Sequence, residues 1–336
     1  MSDSSGGEKL RWGVLGTAKI ARQKVVPAMQ RGAWTRVDAI ASRDEARSRQ
    51  TAAALNIPRS YGSYEALLED RNIDAIYIPL PNHLHVPWAT RAADAGKHVL
   101  CEKPIGVTAA EAEQLRVVRD RTGVQIQEAF MVRTHPQWLR ALEMVRSGRI
   151  GSVRSIVGFF SFFNDDPSNV RNVPDYGGGA IFDIGCYLVN TSRMIFETEP
   201  RRVCALIDRD PKLGIDRLSS MLLDFPGGQA IGTCSMQLAP GQGVMIAGTR
   251  GRVEIEIPFN APPDRPCRIF VYEGAAREEI TLEICDQYTL QGDLFSKAVL
   301  QGLPAPYPLE DSIGNMRVID ALFRSEQDGG WTTVAE

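Results

Sequence analysis

Histidine is scarce in this chain: there are four among 336 residues, and no H-E-x-x-H or comparable cluster. That scarcity argues against a catalytic metal centre. Cysteine is thinly spread as well. The six (Cys101, Cys186, Cys204, Cys234, Cys267 and Cys285) form no C-x-x-C pair, which excludes a zinc knuckle or a disulfide framework and fits free thiols in a reducing cytoplasm. No apolar run reaches the roughly 20 residues that a membrane span requires. The polar start "MSDSSGGEKL" lacks the basic and apolar regions of a secretory signal. An excess of one charge is also missing. Thirty-eight Lys+Arg stand against 41 Asp+Glu, a net charge of -3, which offers no strong field to nucleic acid or to an anionic membrane. Neither an internal repeat nor a low-complexity segment is visible. What remains is a soluble protein of mixed surface charge.

The length suits two domains, and a hydrophobic content of 43% supplies a sizeable core. The first part alternates strand-like runs ("LRWGVL", "TRVDAIA", "IDAIYI", "KHVLC", "GVQIQEAF") with helical patterns, the mark of βαβ units and a parallel sheet. Beyond "HPQWLRALEMVRSGRIG" the strand-like runs follow one another with Gly, Pro and Asp turns between them. Consecutive strands without helices imply a largely antiparallel, open sheet. The expected fold class is therefore α/β: a Rossmann doubly wound domain over residues 1–127, then an α+β domain over 128–336 for substrate binding and oligomerisation. An open sheet face implies pairing of subunits into a homodimer or homotetramer.

The loop after the first strand, "GVLGTAKIA", has the position of a dinucleotide fingerprint, where a pyrophosphate sits on a helix N-terminus. Aligned on Gly16, the second and third glycines are Ala18 and Ala21. Gly16, Thr17, Ala18 and Ile20 are thus expected at the cofactor. At the tip of the second strand, "AIASRD" presents Ser42 and Arg43 where NAD enzymes usually place an acid. A guanidinium fork with a hydroxyl beside it suits a phosphate dianion, so NADP is expected over NAD. Asp38 lies near the beginning of the strand and should point away. Ligands of an open parallel sheet bind beyond the C-terminal strand ends. "PLPNHLH" and Glu102-Lys103-Pro104 follow two such ends, and Lys103 there can polarise a carbonyl or pass a proton.

"AGKHVLCEKP", with "PNHLH", "EAFMVRTHP" and "GGGAIFDIGCY", resembles the Gfo/Idh/MocA oxidoreductase family over nearly the whole chain. With Tyr187 in place of the histidine many members carry, it is similar to the branch of glucose-fructose oxidoreductase, NADP-dependent xylose dehydrogenases and dimeric dihydrodiol dehydrogenases. The resemblance implies hydride transfer between a sugar or polyol carbinol carbon and nicotinamide. Lys103, Asp183 and Tyr187 would be catalytic, with Tyr187 or Lys103 exchanging the hydroxyl proton and Asp183 orienting a second hydroxyl. On a helix, Asp183 and Tyr187 at i and i+4 share a face. The resemblance also implies cofactor contacts from Pro79, Leu80, Asn82, His85, Glu102, Lys103 and Arg171. Phe160 and Phe162 are candidates for a pocket floor, and His135 reads as structural. A dihydrodiol substrate and a non-catalytic NADP-binding regulator are the alternatives.

Overall fold

The structure, a computed structural model, describes residues 8–335; the polar tail ahead of them, and the reading made from it, lie outside the described residues. The chain divides into two compact units. The first combines residues up to Ile105 with Glu111–Met131 and Asp286–Ser312. Its sheet has β1 (Leu10–Leu15), β2 (Thr35–Ala41), β3 (Arg59–Tyr61), β4 (Ala75–Ile78), β5 (His98–Cys101) and β6 (Ile126–Glu128) in the order β3-β2-β1-β4-β5-β6. Every pairing is parallel. Strand order reverses between β1 and β4, so the loops after those two strands flank the switch point where such sheets bind ligands.

One element departs from the sequence reading. Residues 128–336 do not stay together, because the helix Gln287–Leu300 returns to the first unit. Phe295 packs 5.5 Å from Trp12, whose indole N–H donates to Ser296 Oγ at 3.0 Å. Asp293 accepts from the Ala33 and Trp34 amides. This helix therefore completes the core beneath β1, and a single cut near residue 127 does not describe the division.

The second unit holds a nine-stranded sheet. Its strands are β7 (Val153–Phe163), β8 (Arg202–Arg209), β9 (Asp216–Phe225), β10 (Gly228–Ser235), β11 (Gln237–Gly248), β12 (Gly251–Ile255), β13 (Arg268–Glu273), β14 (Ala276–Thr281) and β15 (Thr332–Thr333). They run in the order β14-β13-β12-β11-β7-β10-β9-β8-β15, antiparallel except for β7 with β10. Alternation along β7 buries Ile156, Gly158 and Phe160 and turns Val157 and Phe159 outward. Register carries that outward face across the sheet: Val157 lies beside Ile231, which lies beside Leu222. The next row runs from Phe159 through Thr233 and Ser220 to Leu206. Phe159 is 48% and Leu206 78% exposed, so this face is apolar and open to solvent within one chain.

Candidate active site

In the first unit the turn after β1 is held against the tip of β2: the Gly16 amide donates to Ala41 O at 2.8 Å. Gly16 adopts φ +98, and a Cβ there would stand 2.9 Å from Leu80 Cδ2 and 3.6 Å from the Tyr64 hydroxyl. Glycine is required on both counts. Thr17 is buried, and its carbonyl accepts from Arg22 Nε at 3.0 Å. Ala18 and Ile20 are half-buried, and the helix behind them opens on a π turn, Ala21–Val25, with no side chain capping it. Its amides are the donors that an anion takes up.

Ser42 is buried at the tip of β2, its hydroxyl accepting from the Asp44 amide at 3.2 Å with its own proton still a donor. Arg43 is exposed, and its charge acts on the Tyr64 hydroxyl. Burial raises Tyr64, and the charges of Arg43 and Arg47 pull it back down. Arg47 and Tyr64 thus join the group, although neither carries a motif. Asp38 is spent elsewhere: it accepts from Arg36 Nε at 2.9 Å and lies 3.7 Å from Arg59. The first unit therefore fits a dinucleotide that carries a phosphate where NAD carries only a ribose hydroxyl.

The loops after β4 and β5 are tied together by one ring. His85 is fully buried, with Nδ1 2.7 Å from Pro104 O and Nε2 2.7 Å from Leu80 O. Burial is the main cause that lowers it to about 4, the two carbonyls opposing and Lys103 and His83 adding to the fall. His85, expected at the cofactor, has a backbone carbonyl beside each ring nitrogen and so bridges the two loops. Pro79 is buried, Leu80 half-buried against Gly16, and Asn82 opens the short turn Asn82–Leu84. Glu102 accepts from the buried Tyr77 hydroxyl at 2.6 Å. Lys103 follows, half-buried, joined to Pro104 by a cis peptide.

In the second unit Asp183 lies in a π turn, Ile181–Gly185, that leads into the helix Cys186–Phe196 carrying Tyr187. The regular helix expected from the sequence is therefore widened at this point, a feature frequent at functional sites. Arg171 reaches Asp183, Nε to Oδ2 at 2.9 Å, so this residue, expected at the cofactor, holds the carboxylate. Tyr187 is 5% exposed among Phe160 (ring centroids 6.0 Å) and Phe259 (5.5 Å). Phe160 is thus part of the wall around Tyr187 and Phe162 is half-buried; Phe259 sits in a loop that gave no signal. His135 caps the helix Pro136–Arg146 by accepting from the Gln137 amide.

Residues 10–130 match the oxidoreductase family with an NAD-binding Rossmann fold, and residues 138–254 match the GFO/IDH/MocA C-terminal domain. The chain is 50% identical to an uncharacterized oxidoreductase of Rhizobium meliloti, over 97% of this chain and 99% of that one. It is 39% identical to D-xylose 1-dehydrogenase (NADP(+)) 2 of Haloferax volcanii, over 95% and 98%. A 3-ketoreductase from Actinomadura kijaniata, solved with NADP and TDP-benzene, superposes with a TM-score of 0.89 at 31% identity, over 95% of this chain and 98% of that one.

Proposed function

Since the chain belongs to the Gfo/Idh/MocA oxidoreductase family, we propose that it is an NADP-dependent dehydrogenase of sugars or polyols, with an aldose such as xylose or glucose as substrate. The observation that carries this reading is the 39% identity, along nearly the full length of both chains, to an NADP-dependent xylose dehydrogenase. Bound NADP would supply the acceptor for the hydride leaving the carbinol carbon. The chain's own residues would do the rest. The uncapped helix start behind Gly16, with Ser42 and Arg43, would hold the nucleotide; the Lys103 ammonium would stabilise the alkoxide while Tyr187, as the phenolate, takes the hydroxyl proton, or Lys103, as the neutral amine, would take that proton itself. Asp183, steadied by Arg171, would accept from a second substrate hydroxyl.

Arg43→Ala is expected to weaken NADP binding by one to two orders of magnitude, about the worth of one charge-assisted bidentate contact. NAD affinity should stay within about two-fold, since no phosphate is lost there. Titration of both nucleotides checks this, and equal losses for the two would remove Arg43 from the phosphate site.

The aromatic rings of Phe160 and Phe259 beside Tyr187 favour a second reading, a cyclic dihydrodiol substrate. A panel of aldoses, polyols and a dihydrodiol, run with NADP and with NAD, decides between them. Silence across the whole panel with NADP bound would point instead to a sensor. The free state of all six cysteines suits a reducing cytoplasm. The open face of Val157, Phe159, Leu206, Leu222 and Ile231 is the proposed seat of a second copy. Ile231→Lys should then shift sedimentation to the monomer; an unchanged profile would place the pairing elsewhere.

A further inference from the structure

We infer that Asp216, at the start of β9, is a positioning residue that anchors the π turn bearing Asp183 and so sets how Asp183 and Tyr187 are presented. The inference rests on the proposed oxidoreductase reading, in which those two side chains handle the substrate. The helix start has no cap of its own, because its N-cap residue is Ala180. A carboxylate 35 residues further along the chain takes that place: Asp216 Oδ2 accepts from the Ile181 amide at 2.7 Å. The Ser219 hydroxyl donates to the same oxygen at 3.2 Å. A negative group here also faces the positive end of the helix dipole.

The other oxygen explains a motif residue. Gly179 adopts φ +123, and a Cβ there would overlap Asp216 Oδ1. The third glycine of "GGG" is therefore the space through which the carboxylate reaches the helix. Gly179 O in turn accepts from the Asp183 amide at 3.0 Å, so glycine, carboxylate and π turn are held as one piece. Asp216 is 1% exposed. Burial raises it to about 7, against the Ile181 amide, Ser219 and the Arg209 charge that favour the carboxylate. Such a group is costly to bury for stability alone.

The π turn makes the anchor matter for chemistry. It contains one residue more than an α-helical turn. Relaxation to regular helix would rotate Asp183 by about 100° relative to Tyr187. A misplaced reacting group costs on the order of 100-fold in rate.

The test compares Asp216→Ala, Asp216→Asn and Asp216→Glu in the full chain with NADP. Asp216→Ala should lower kcat by about 100-fold while the NADP dissociation constant stays within about two-fold, since the nucleotide residues lie in the other unit. Asp216→Asn keeps an acceptor of the same shape and should recover most of the turnover. Should the alanine variant not fold, Asp216→Glu decides: its extra methylene displaces the turn, and kcat should fall by about ten-fold or more. Turnover near wild type in folded Asp216→Ala or Asp216→Glu would overturn the inference, as would asparagine no better than alanine. Amide exchange at Ile181 and Asp183, read without substrate, separates the two readings. If wild type oxidises no substrate of the panel, the oxidoreductase reading falls. The anchor still stands or falls on whether Asp216→Ala exposes those amides and Asp216→Asn protects them.

Discussion

Lys103→Met is expected to lower kcat by about 10³-fold, in the middle of the range that general acid–base groups supply, with NADP affinity changed by no more than a few-fold. The side chain stands one residue past Glu102 at the tip of β5, and the chain on either side of it is fixed from within the unit. Glu102 is held by the Tyr77 hydroxyl, and the Pro104 carbonyl is held by His85. Methionine keeps most of the length and the apolar stem and removes only the ammonium. The fold should therefore be untouched, and stopped-flow turnover beside nucleotide titration separates chemistry from binding. An exposed Glu-Lys pair at a helix start would behave differently: the same substitution would leave kcat within about two-fold, as surface ion pairs are worth little.

The second large effect is expected at Tyr187. Tyr187→Phe should reduce kcat by about 10²-fold or more, with little change in the melting temperature. Phenylalanine keeps the ring that packs against Phe160 and Phe259, so most of the buried contact survives. A lost proton-transfer group acts only in the transition state, hence kcat and kcat/KM should fall together. Near-normal turnover would assign the proton to Lys103 alone and leave Tyr187 as a wall of the pocket.

Much of this was legible from local pattern. The βαβ alternation, the turn at Gly16, the strand tips at Ser42-Arg43 and Glu102-Lys103, and the triple glycine are all written in adjacent residues. What escaped depends on partners distant in sequence. The helix Gln287–Leu300 joins the first unit through Asp293, Phe295 and Ser296, and no periodicity within it names Trp12 as the neighbour. β3 is three residues long and β14 is the exposed, charged edge "AREEIT", so neither shows a clear buried face. The π turns at Ala21–Val25 and Ile181–Gly185 have no composition of their own. His85 shows the reverse case. Its place in the loop suggested the cofactor, and only its burial between two carbonyls reveals a tie between loops. Asp216 was invisible because its meaning lies in the Ile181 amide, and Arg47 and Tyr64 because theirs lies in the company of Arg43.

The proposal at the centre is that Lys103 and Tyr187 both serve the proton removal that accompanies hydride transfer. A double-mutant cycle on single-turnover rates with NADP and the best aldose measures this directly. Groups acting as one unit are strongly non-additive, so the Lys103→Met, Tyr187→Phe double variant should be no more than a few-fold slower than Lys103→Met alone. Losses that multiply would mean that the two residues act independently, and the shared role would have to be abandoned.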